Sequence, residues 1–91
     1  DWRYGTRKRT AVSADIRIKA DDARRIKHDS AFKAFVQEVR ESQMQVFANS
    51  GASDVEAREE AHAIIRALNQ IEVNLDAALA AETLLDRKQR K

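Results

Sequence analysis

From Asp54 to about Leu85 the apolar residues return at helical spacing: Ala61, Leu68 and Leu75 fall on one line, and Ile64 with Ile65, Ile71, and Ala78 with Leu79 fall on the next. A seven-residue repeat of this kind predicts one long amphipathic helix whose seam packs against another helix. Glu82 takes the following place on the first line, so the seam weakens toward the carboxyl end. A second amphipathic stretch comes before it. Phe32, Phe35, Val36, Val39, Gln43, Val46 and Phe47 follow one another largely at steps of three and four, which predicts a helix from about 30 to 48. Asn49, Ser50 and Gly51 supply its stop, with Gly51 suited to a left-handed residue past the helix end. Ser53 and Glu56 then have the spacing of a capping box that starts the long helix. Two helices joined by so short a connection form an antiparallel αα-hairpin.

The two helices are unequal. At about 1.5 Å rise per residue they measure roughly 28 Å and 48 Å, so the long one overhangs the short one by several turns. An antiparallel register sets Phe47 near Val55, Val39 near Leu68 and Phe32 near Ile71 or Leu75. Leu75, Ala78, Leu79, Leu84 and Leu85 then lie beyond the end of the neighbour and need another segment or another chain to cover them. Asp21 or Asp22 can cap a short helix from about 22 to 28, which could shelter Ala78 and Leu79 and would leave Leu84 and Leu85 open. Asp29 or Ser30 offers a second cap, where the chain bends or restarts.

The first twenty residues lack a helical repeat. Trp2, Tyr4 and Gly5 lead into the cluster Arg7, Lys8, Arg9, and then into the alternation Ile16, Arg17, Ile18, Lys19. Alternation of this kind predicts an extended arm able to dock on a partner, with Trp2 and Tyr4 as aromatic anchors. The expected organisation is therefore all-α: an extended N-terminal arm over 1–20, then a helical hairpin domain over 21–91. That domain comprises helices at about 22–28, 30–48 and 54–86 and a basic tail at 87–91.

Composition supports helix almost throughout, since 91 residues include two glycines and no proline. The chain has no cysteine, which excludes disulfides and thiolate metal sites. No apolar run approaches the roughly 18 residues of a membrane span, so a soluble protein without a membrane partner is expected. The net charge of +2 hides an uneven distribution. Residues 1–19 carry Arg3, Arg7, Lys8, Arg9, Arg17 and Lys19 against Asp1 and Asp15, and the tail carries Arg87, Lys88, Arg90 and Lys91. An acidic helical body thus has two basic ends, suited to phosphates or to the acidic surface of a protein neighbour.

Little chemistry stands out. Glu59 and His62 make the Glu-x-x-His step that supplies ligands in di-iron helical bundles, but they fall on the flank of the seam rather than in it. His28 suits the negative end of a helix dipole better than a metal. Asp21 to Arg25 and Arg25 to Asp29 read as local helix pairs on a solvated face, and Asn69, Gln70 and Asn74 as polar residues along the long helix. There is no Gly-rich phosphate loop and no nucleophile with its base, so the expectation is a protein that is not an enzyme and uses no cofactor.

The stretches ARRIKHDSAFKAFVQEVRE, EAREEAHAIIRALNQIEVNL and LLDRKQRK, spanning Ala23 to the tail, resemble small helical proteins encoded among the head and packaging genes of tailed bacteriophages. Ser30 stands where those proteins often have proline. The resemblance implies a virion-associated structural or assembly role, and it brings no catalytic residues. The expected function is packing with copies of itself or with capsid, portal or neck proteins, in a virion assembled in the host cytoplasm. The expected partner-binding residues are Trp2, Tyr4, Arg7, Lys8, Arg9, Ile16 and Ile18 in the arm, and Leu75, Leu79, Leu84 and Leu85 on the overhang. The alternative is a nucleic-acid-binding packaging component, comparable in role to a small terminase subunit, that sets both basic ends on phosphates.

Overall fold

A computed structural model describes the backbone of residues 2–90 and the side chains of residues 11–90. It is all-α, with α1 over Trp2–His28, α2 over Ser30–Asn49 and α3 over Val55–Gln89. The chain divides into two units, one formed by Asp1–Lys27 with Asn74–Lys91 and the other by His28–Val73.

The second unit is the expected hairpin. Asp29 closes α1 and caps α2: its backbone is extended, and its carboxylate accepts the backbone N–H of Phe32 at 2.8 Å. Phe32, Val36, Arg40 and Gln43 are the half-buried residues of α2, spaced at helical steps along one stripe. On α3 the matching residues are Arg58, Ile64, Ile65 and Leu68, set around the fully buried Ala61. Across this seam Arg40 donates to Asn69 at 2.7 Å and to Glu72 at 2.8 Å, which fixes the register. Asn69 is therefore bonded across the hairpin.

The turn differs from expectation in two details. Ser50, not Gly51, terminates α2; its N–H and its hydroxyl both donate to the carbonyl of Phe47, and no described glycine has a positive φ. The α3 helix begins at Val55, so Asp54 and not Ser53 occupies the cap position. The carboxylate of Asp54 accepts the N–H of Gly51 at 2.9 Å, while the N–H of Asp54 returns to the carbonyl of Gly51 at 3.0 Å. This reciprocal pair holds the turn closed without the left-handed residue that a longer wrap past the helix end would require.

In the first unit the extended arm expected over 1–20 is replaced by helix, and the short helix expected at 22–28 is only the end of α1. Ser13, Ile16, Arg17, Ala20 and Ala23 recur on one face of α1, where Ala20 and Ala23 are buried and the other three half-buried. This face meets α3 beyond Asn74, where Ala78 is buried and Leu75, Leu79, Ala81, Glu82 and Leu85 are half-buried. Ion pairs run Lys27 to Asp76, Arg24 to Glu82 and Arg17 to Asp86, so the numbering descends on one helix as it climbs on the other and the pair is antiparallel. The alternation of Ile16 and Ile18 is resolved by the helical turn between them: Ile16 faces α3, whereas Ile18 is 60% exposed. Packing of a stripe that includes polar members outweighs a two-residue alternation only four residues long.

Candidate functional site

Glu59 and His62 lie with Phe47, Val55 and Arg58 around an open depression at the turn end of the hairpin. Among the described residues no group of three or more His, Cys, Asp or Glu side chains is placed to hold a metal ion. No described helix is long and apolar enough to cross a membrane.

The overhang of α3 has a neighbour in its own chain. Leu75, Leu79 and Leu85 are half-covered within the unit that α1 makes with it, and Leu84 remains 56% exposed. Leu85, expected to stay open with Leu84, is half-covered, because the helix expected only at 22–28 extends further toward the amino terminus and follows α3 toward its end. Ile16 joins the same seam and Ile18 faces outward. The side chains of Trp2, Tyr4, Arg7, Lys8 and Arg9 lie outside the described residues.

Electrostatics tie this unit together. Glu82, on the contact line, has a side chain only 17% exposed and is held at 2.5 Å by Arg24, with Arg17 at 3.9 Å on its other oxygen. Arg24 also bonds Asp21, one turn earlier on its own helix. Its guanidinium is pushed above its ordinary pKa, chiefly by the hydrogen bond to Glu82 and then by that to Asp21. Arg17 donates to Asp86 at 3.0 Å and to Gln89 at 2.8 Å. Local pairs form at three residues' spacing, Arg24 with Asp21 and Arg25 with Asp22. Arg24 therefore reaches across to α3, and the sequence signal for it is the acidic Glu82 interrupting an apolar line.

What the structure leaves open is apolar area. Among the described residues the buried hydrophobic ones are four alanines: Ala20, Ala23, Ala61 and Ala78. No large described side chain is fully buried, and Phe35, Val39, Val46, Phe47, Ile71, Val73 and Leu84 are each more than two-fifths exposed. A pair of helices has a single contact line, where small residues allow close approach. Larger side chains flanking that line stay half in water unless a further helix covers them.

No protein-family model matches this chain, and neither does any curated protein or solved structure.

Proposed function

We propose that this chain is a non-enzymatic structural or assembly protein, one that completes its core by packing with copies of itself or with other protein chains. The observation that carries the reading is the surface left uncovered. Among the described residues the buried hydrophobic side chains are four alanines, whereas Phe35, Val39, Val46, Phe47, Ile71, Val73 and Leu84 are each more than two-fifths exposed. Apolar side chains left open in this number favour association with a further helix or chain.

The setting we propose is a bacteriophage virion, with capsid, portal or neck proteins as partners, and it rests on the resemblance of the sequence from Ala23 to the tail. A nucleic-acid role is the weaker reading. Arg17, Arg24 and Lys27 each hold a carboxylate of α3 and are not free to meet phosphates. Lys19 at one basic end and Arg87, Lys88 and Arg90 at the other are exposed and are described basic groups such a role would use.

Native mass measurement of the purified chain, alone and then mixed with phage capsid, portal and neck proteins, tests the proposal. Assembly in either condition supports it. A chain that stays monomeric in both overturns it, and DNA binding that falls steeply with salt would favour the alternative.

A further inference from the structure

We infer that the two basic ends of the chain form one site, at the tip of the unit that α1 makes with α3, and that this site takes the phosphate backbone of nucleic acid. The inference deepens the nucleic-acid alternative and rests on it; the assembly reading keeps its own test. In the sequence the clusters Arg7, Lys8, Arg9 and Arg87, Lys88, Arg90 stand at opposite ends. The antiparallel pairing brings them together. Arg17 donates to Asp86 and to Gln89, so α1, followed from Arg17 toward its amino terminus, runs in the direction in which α3 finishes. At about 1.5 Å rise per residue, Arg9 stands about 12 Å along α1 from Arg17, and Arg90 about 6 Å along from Asp86. Both clusters therefore sit at the same end of one unit.

Little at this end neutralises them. The sequence has no acidic residue between Trp2 and Ala14 and none after Asp86, and Asp86 is itself held by Arg17. Lys19, Arg87, Lys88 and Arg90 are exposed, and among the described residues none of them pairs with a carboxylate. Between residues 20 and 85 the balance reverses, with twelve acidic residues against seven basic ones, so a polyanion is drawn to this end and repelled elsewhere. The choice among polyanions follows from what accompanies the charge. Residues 5–10 and 86–91 contain no apolar side chain. A protein partner would need an apolar centre, from which charged residues are depleted, and a lipid surface would need an apolar helix face. Interfaces with nucleic acid are instead polar and strongly positive, and arginine, the commoner cation here, suits phosphate. Contacts of this kind read the backbone and carry no base sequence.

The test is fluorescence anisotropy of short DNA duplexes of unrelated sequence, titrated with the full chain over a series of salt concentrations, with circular dichroism to follow helicity. The duplexes should bind alike, with an affinity that falls steeply as salt rises. Arg7→Gln with Arg9→Gln, and Lys88→Gln with Arg90→Gln, should each weaken binding by about tenfold at low salt and flatten its salt dependence, because each pair removes phosphate contacts from the same site. Lys33→Gln with Arg66→Gln takes the same charge from the hairpin unit and should change affinity by less than about twofold. Should the variants lose helicity, the wild-type chain supplies a second measurement: duplex should slow acetylation of the Lys19 and Lys88 amines and leave that of Lys33 unchanged. No duplex binding at low salt overturns both this site and the nucleic-acid alternative. Binding that survives the loss of either cluster, or that falls equally in all three double variants, overturns the shared site and leaves the alternative standing. Polyglutamate that competes as well as duplex, or phosphatidylglycerol vesicles that bind where duplex does not, overturns the assignment to nucleic acid.

Discussion

Glu82 of α3 receives the guanidinium of Arg24 of α1 at 2.5 Å, in a place where the heptad pattern of α3 would otherwise put a leucine. The carboxylate continues the line of Ala61, Leu68 and Leu75 and is mostly buried. An apolar residue there would serve any helix register, whereas a carboxylate is satisfied only where Arg24 and Arg17 can reach it. The pair thus selects one register of α1 on α3.

Glu82→Gln is expected to lower the melting temperature by a few degrees, since it removes the charge that both arginines face. Glu82→Leu should recover most of that loss, because leucine restores the apolar line. Thermal melts at low and high salt check both: the wild-type advantage over Glu82→Gln should shrink as salt screens the exposed ends of the arginines.

Ala20 is fully buried and Ala23 nearly so, which sets how closely α1 approaches α3. Ala20→Leu should force the helices apart and cost about 1–3 kcal/mol, whereas Ala14→Leu, on an exposed part of α1, should be close to neutral. Urea unfolding followed by helicity separates the two. Equal stability of the variants would show that α1 does not depend on that contact.

Asp29 is the hinge of sequence between α1 and α2, and its side chain caps the second of them. Asp29→Ala should cost about 1 kcal/mol, and Asp29→Ser should retain most of the cap. Amide exchange at Phe32 and Lys33 reports the effect locally, since the N–H groups of these residues meet the Asp29 side chain and carbonyl.

Gly51 has no left-handed backbone, and a methyl group placed on it would meet only the Asp54 carboxylate, at 3.6 Å. Gly51→Ala is accordingly expected to be neutral or to stabilise by about 0.5–1 kcal/mol, through a less disordered unfolded chain. Asp54→Ala should destabilise the turn, because the N–H of Gly51 loses its acceptor. A marked loss of stability in Gly51→Ala, read by denaturant midpoint, would mean that the turn needs backbone freedom after all.

The sequence by itself determined the helical class, the span of α2 and α3 to within a few residues, a cap at Asp29 or Ser30 and the antiparallel hairpin. Each of these is written in neighbouring residues: the three-and-four spacing from Phe32 to Phe47, the heptad from Ala61 to Leu79, and the break at Asp29. Only the tertiary structure decided that residues 11–20 are helical, that Asp29 is the cap, and that α1 half-covers the overhang of α3 while Leu84 stays exposed. The reason is that the contact face of α1 consists of Ser13, Ile16, Arg17, Ala20 and Ala23, a stripe with a single large apolar member, whose affinity for α3 arises from alanine-to-alanine approach and from Arg17 and Arg24 meeting Asp86 and Glu82. Those partners lie about sixty to seventy residues further along, so no local window contains them.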